Sequence, residues 1–150
     1  MPQSLACLHV HLVFSTKNRR RDLHDEVREA LDAYMATVLR NLGCGAAFVR
    51  SVEDHVHILF DLPRTISISD AVKEVKTASS KWLKEQGRGL QAFAWQAGYG
   101  AFSVSESNVP AVRDYIAHQE EHHRTTTFQD EYRMLLQRHR IEFDDRYVWD

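Results

Sequence analysis

Two histidines, His55 and His57, lie two residues apart in the run Asp54-His55-Val56-His57-Ile58-Leu59-Phe60. Residues i and i+2 of a β-strand project from one face, so the spacing predicts two imidazoles side by side while Val56, Ile58 and Phe60 turn to the other face. Imidazole pairs held on a rigid strand suit a metal ion with open coordination positions. His9-Val10-His11 fits the same pattern equally well. Spacing does not choose between the pairs, and one could ligate while the other orients its ligands. Tyr115 and Gln119 are four apart in a helical stretch, which puts a phenol and an amide on one face. A metal pair with a positioned tyrosine points to covalent chemistry on a phosphate ester. The alternative for Tyr115 is half-buried packing beside Ala111, Val112 and Ile116 with its hydroxyl in water. His123 sits one turn beyond Gln119 and can reach the same locus.

The elements that must position these groups follow from periodicity. Residues 8–15 alternate, with Val10, Leu12 and Phe14 on one side and His9, His11 and Val13 on the other, which predicts a strand. A helix over 25–42 carries the stripe Val27, Ala30, Leu31, Tyr34, Val38 and Leu42 and stops at Gly43. Strands over 45–52 and 55–61 form a hairpin turned at Glu53-Asp54. A second helix follows Ser67, which has capping-box spacing to Asp70. Short strands are predicted over Phe93–Gln96 and Ala101–Val104. A third helix starts near Asn108 with Pro110 in its first turn and carries Tyr115 and Gln119. A fourth is capped at Thr127 and runs to about Arg140, followed by an irregular tail. This order, β-α-β-β-α-β with an added strand and two C-terminal helices, is the α+β, ferredoxin-like (RRM-like) split β-α-β pattern with an antiparallel sheet. It places the first and third strands in the middle, with His9, His11, His55 and His57 on one face.

The chain has 150 residues, 43% hydrophobic and 27% charged, which fits one domain spanning 1–150 with a substantial core. Three prolines and six glycines leave no long flexible linker. No apolar run reaches bilayer length, the first residues lack a signal-peptide layout, and Cys7 and Cys44 make no metal-spacing motif. A soluble cytoplasmic protein is expected. The net charge of −2 excludes a general nucleic-acid sponge. Charge is nonetheless segregated: Lys17, Arg19, Arg20 and Arg21 form one basic cluster and Lys73, Lys76, Lys81, Lys84 and Arg88 another, and either can hold a polyanion or be an ordinary solvated face.

The sequence resembles the single-tyrosine HUH transposases of small bacterial insertion sequences, the IS200-like family, in a superfamily with the REP-associated tyrosine transposases. The resemblance rests on His11-Leu12-Val13-Phe14-Ser15-Thr16-Lys17, on Asp54 to Phe60, and on Trp95-Gln96-Ala97-Gly98-Tyr99-Gly100-Ala101-Phe102-Ser103-Val104-Ser105. It continues through Tyr115-Ile116-Ala117-His118-Gln119-Glu120-Glu121-His122-His123-Arg124 and Phe128-Gln129-Asp130-Glu131-Tyr132-Arg133. It maps the histidine motif onto His55 and His57, the nucleophile onto Tyr115 and the third metal ligand onto Gln119, and gives His9 and His123 no role.

The resemblance implies a DNA transposase that cleaves and rejoins single-stranded DNA at hairpin-bearing element ends through a 5′-phosphotyrosine, with Mg²⁺ or Mn²⁺ as cofactor. It implies a homodimer in which the tyrosine helix of one chain completes the site of the other. Lys17, Arg19, Arg20, Arg21 and Lys76 are the expected DNA contacts. Two alternatives stay open: a domesticated relative that binds hairpin repeats, and a metal-dependent nuclease that uses water, with Tyr115 structural.

Overall fold

The computed structural model describes residues 2–150. Four strands, β1 (His9–Ser15), β2 (Gly45–Ser51), β3 (His55–Asp61) and β4 (Gly100–Val104), form one antiparallel sheet in the order β2-β3-β1-β4. Helix α1 (Asp25–Asn41) links β1 to β2, and α2 (Ile68–Glu85) links β3 to β4. The ferredoxin-like order predicted from periodicity is therefore present, with β1 and β3 central. Ser67 caps α2 by accepting a hydrogen bond from the Asp70 N–H, and Gly43 ends α1 at φ +87°.

One face of the sheet, with Val10, Leu12, Phe14, Val56, Ile58 and Phe60, packs on α1 and α2 through Leu31, Met35, Leu39, Val72, Val75 and Leu83. Each such fully buried side chain contributes about 1.5–3 kcal/mol. The opposite face is also covered. Helices α3 (Val109–Ala117), α4 (Gln119–His122) and α5 (Phe128–Arg138) lie over it. Phe128, Tyr132, Leu135 and Leu136 of α5 find their apolar partners in Val13 and Phe102. A Cβ on Gly100 would come within 3.1 Å of the Tyr132 ring, so a glycine there lets α5 lie close to β4.

Two expectations are corrected. Phe93–Gln96 is not a strand: it makes a single bridge, Thr16 to Trp95. The reason is that Phe93 and Trp95 turn into the core, Trp95 donates its indole N–H to Ser79 Oγ at 2.9 Å, and the Gln96 side chain caps Ser15 N–H. The predicted added strand is thus absent among the described residues. The third helix is also not continuous through Gln119, because His118 leaves helical geometry (φ −104°, ψ 25°) and separates α3 from α4. The irregular tail folds back, with Trp149 edge-on to Tyr132 and the Asp150 carbonyl accepting from Gly98 N–H at 2.8 Å. Among the described residues no helix is long and apolar enough to cross a membrane.

Candidate metal centre and nucleophile

Antiparallel register puts His57 opposite Val13 and His55 opposite Ser15, on the face that α3 to α5 cover. Both imidazoles are fully buried. The Asp54 carboxylate holds His55 Nδ1 at 2.6 Å. That fixes the ring with Nε2 pointing into the cluster, where it is buried without a hydrogen-bond partner, 3.5 Å from Glu131 Oε1. His57 is held from the other side. Its Nδ1 shares a 2.8 Å hydrogen bond with His11 Nε2, and its Nε2 lies 2.8 Å from Glu131 Oε1. The two histidine pairs left equivalent by spacing are thereby separated. His55 and His57 form the cluster, His11 orients His57, and His9 lies away from it against Asp61 and Glu106.

The helices bring the remaining groups. Tyr115 of α3 donates its hydroxyl to Glu131 Oε2, with His122 Nε2 at 3.5 Å from the same phenol oxygen. His123 gives its Nδ1 to the Thr126 carbonyl at 2.7 Å, so its Nε2 faces Gln119 Oε1 at 2.8 Å and Glu131 Oε1 at 3.1 Å. Gln119 is buried, its amide N–H donating to the Tyr115 carbonyl at 3.3 Å. It therefore meets the histidine cluster through His123.

Electrostatics follow from this crowding. Burial alone would raise the Glu131 carboxyl, but His57, His123 and His55 outweigh it and hold the group well below the usual range. Burial pushes the Tyr115 phenol up, and the Glu131 charge pushes it further. His11 falls to about 3 through burial and the adjacent His57, so it is a neutral acceptor.

The donor set fits a divalent cation. Once Asp54 and the Thr126 carbonyl have taken the Nδ1 protons of His55 and His123, the Nε2 of each is a bare lone pair. These atoms, His57 Nε2 and a Glu131 oxygen all lie within 4.8 Å of one another. Acceptors converging without protons between them are what a cation satisfies, and second-shell carboxylate and carbonyl partners on ligand imidazoles are usual at metal sites.

Sequence reasoning missed Glu131. It stands on the α5 face that also carries Phe128, Tyr132 and Leu135. An acid inside an apolar helical stripe was the available signal, masked because acids in a first helical turn are common.

The expected DNA contacts are dispersed. Lys17 and Arg20 are exposed, Arg20 pairs with Asp22 at 3.6 Å, and Arg21 pairs with Glu53 at 3.7 Å. Arg19 lies over the Trp149 ring at 5.7 Å. Lys76 is placed otherwise than expected. Its ammonium donates to the carbonyls of Gln96 at 2.7 Å and Gly98 at 2.6 Å and lies over Phe14, on the sheet face opposite the histidine cluster. An open groove of about 1820 Å³ runs along α1 and β2 to the cluster. Arg19, Arg21, Arg28, Arg50 and Arg124 line it, and Asp54, Gln119 and His123 stand at its inner side.

Comparison with known proteins accounts for this assembly. The family model described as "Transposase IS200 like" matches residues 4–119. The transposase for insertion sequence element IS200 of Salmonella typhimurium is 34% identical over 119 residues, covering 73% of this chain and 74% of that protein. A crystal structure of a candidate transposase from Deinococcus radiodurans R1 superposes with a TM-score of 0.58 at 27% identity, covering 79% of this chain and 98% of that one. The structure of a REP-associated tyrosine transposase bound to a REP hairpin shares the fold, with a TM-score of 0.55 at 17% identity over 82% of this chain and 74% of that one. The matched span holds the histidine strand and the tyrosine helix and ends at Gln119, just short of His123 and Glu131. With that strand and that helix meeting in one pocket, the chain belongs to the IS200-like transposase family and is a DNA transposase.

Proposed function

We propose that this chain, acting as one transposase domain over 1–150, breaks and rejoins single-stranded DNA through Tyr115. The observation that carries the reading is the contact of the Tyr115 hydroxyl with the one carboxylate, Glu131, that His55, His57 and His123 surround. In the reaction the phenol oxygen attacks phosphorus in line. The P–O3′ bond breaks, a 5′-phosphotyrosine forms and a 3′-hydroxyl leaves. The phenol proton passes by way of Glu131 Oε2, which already accepts its hydrogen bond, to the departing 3′-oxygen, which leaves as the hydroxyl. Because the phosphotyrosine bond replaces the broken diester, a second 3′-hydroxyl can reverse the step and join strands without another energy source. His11 and Asp54 keep the imidazoles oriented, and α5 excludes water from them.

His55, His57, His123 and Glu131 would hold a divalent cation, and Gln119 Oε1, 2.8 Å from the same His123 nitrogen, stands beside that set as a further oxygen donor. Such an ion supplies charge neutralisation for a phosphodiester. Three imidazoles beside one carboxylate favour Mn²⁺ over Mg²⁺. The solved hairpin complex of a protein with this fold supports a hairpin-bearing single strand as partner. The groove's five arginines, set among seven carboxylates, and the exposed Lys17 and Arg20 are the groups we assign to the strand's backbone. A homodimer, with active sites completed within or between its subunits, is the working form we assign, and the contact of Tyr115 with Glu131 is the one made within a chain. A cytoplasmic location accords with this activity.

The test incubates a labelled pool of single-stranded DNA hairpins with protein and Mn²⁺ and seeks a denaturation-resistant protein–DNA adduct. The expected result is an adduct that Tyr115→Phe abolishes. Cleavage that survives Tyr115→Phe would instead identify water as nucleophile, and binding without cleavage would leave a hairpin-binding module.

A further inference from the structure

His9 takes no part in the cluster around His55 and His57, yet it is not idle. It begins β1, and its Nδ1 lies 2.5 Å from Asp61 Oδ1 on the adjacent strand. Its Nε2 faces two further groups, Cys7 Sγ at 3.2 Å and Glu106 Oε2 in closer contact. Cys7 Sγ is in turn 3.7 Å from Glu106 Oε2. Two regions distant in sequence thus aim one sulfur, one nitrogen and one oxygen at a common point: the start of β1 with the residues just before it, and the turn between β4 and α3.

We propose that Cys7, His9 and Glu106 form a second cation site, of the zinc class, distinct from the proposed transposase centre. Thiolate, imidazole and carboxylate are the three zinc donors, and a tetrahedral ion separates its ligand atoms by about 3.3–3.6 Å at ordinary bond lengths. The sulfur–nitrogen and sulfur–oxygen separations of 3.2 and 3.7 Å bracket that range closely. Only the nitrogen–oxygen contact must open, and the Glu106 side chain, 78% exposed, is free to turn. Asp61 on Nδ1 supplies the carboxylate–histidine arrangement that directs Nε2 at a metal. Cys7 and Glu106 are exposed, so the fourth position faces water.

An imidazolium shared by Asp61 and Glu106 is the competing description, since those two carboxylates raise His9. It gives the Cys7 thiol a long hydrogen bond to Glu106 Oε2 at 3.7 Å but leaves the 3.2 Å approach of its sulfur to His9 Nε2 unexplained, because the single proton on that nitrogen is already committed to Glu106. A bound ion gives all three donors a partner. It would tie the residues before β1 to the turn that launches α3, the helix carrying Tyr115.

The experiment is a Co²⁺ titration of the reduced full-length chain, read by the thiolate-to-cobalt charge-transfer absorption. The transposase centre holds no sulfur, and Cys44 is buried and belongs to neither cluster, so a band that persists in Cys44→Ser reports Cys7. The band should appear in the wild type, persist in Cys44→Ser and His57→Ala, and vanish in Cys7→Ser. His9→Ala should also remove it, and Glu106→Gln should weaken binding at least tenfold. Zn²⁺ added in excess should bleach it. Folded wild-type protein that shows no band, or a band that survives Cys7→Ser, overturns the proposal. Because the two centres share no residue, either result leaves the transposase reading untouched.

Discussion

Glu131→Gln is the substitution that most directly probes the chemistry. The wild-type carboxylate is fully buried, and four imidazole nitrogens surround it: those of His57 at 2.8 Å, His123 at 3.1 Å, His122 at 3.4 Å and His55 at 3.5 Å. Glutamine keeps the shape, loses the charge and replaces one acceptor oxygen by an NH₂ that must face an imidazole or the Tyr115 phenol. Loss of even a supporting partner weakens metal binding by about 10–100-fold, or about 1.4–2.7 kcal/mol at 1.36 kcal/mol per tenfold. Loss of a ligand charge should reach at least the upper part of that range. Gln119→Ala should cost less, about tenfold or under, because its oxygen meets the cluster only through His123. The assay is Mn²⁺ binding to the full chain by calorimetry, with circular dichroism as a control for folding. If Gln119→Ala proves more damaging than Glu131→Gln in folded protein, the amide and not the carboxylate completes the set, and the reasoning is refuted.

Mixing Tyr115→Phe with His57→Ala separates the two ways of completing the site: the Tyr115–Glu131 contact within one chain predicts no restored adduct, and recovery on mixing would show sites completed between the subunits of a homodimer. Arg21→Ala should lower the salt dependence of single-strand binding by about 0.7 in log–log slope, and an unchanged slope removes Arg21 from the interface. Asp32 is far from the cluster and accepts the Ser51 N–H at 3.1 Å, and burial raises its carboxyl to about 6. A raised folded value means its contribution is present below about pH 4 and is lost as pH rises through 6. Asp32→Asn, which keeps the acceptor, should therefore stabilise the chain by about 1–2 kcal/mol at pH 7, with the gain fading below pH 4 in urea unfolding curves.

Much of this fold was legible from period alone. The alternation around Val10, Leu12 and Phe14, the Gly43 stop and the Ser67 cap each rest on local rules that tertiary packing did not override. Phe93–Gln96 misled because a short aromatic run satisfies a strand pattern, whereas Trp95 is drawn inward by Ser79, a partner that only the third dimension supplies. At the site, two-residue spacing located both histidine pairs but could not rank them. What ranks them is register, which pairs His57 with Val13, so that His11 lies diagonally beside it, and leaves His9 at the far end opposite Asp61. Gln119 Oε1 reaches the cluster at His123 Nε2, 2.8 Å away, beyond a helix break at His118 that periodicity did not announce. Glu131 could not be read as chemistry, because nothing in linear order says that α5 folds back over β1 and β3.

That fold-back bears on how relatives of this chain are judged. The matched span closes at Gln119, so a protein carrying the histidine strand, the tyrosine and the amide satisfies every motif while saying nothing of the helix that follows. Stripped of residues 128–138, such a protein would keep its signature and expose its imidazoles to solvent, with no oxygen for the tyrosine to lean on. In this chain the shelter of the imidazoles is thus the work of a docked C-terminal helix as much as of the signature that precedes it.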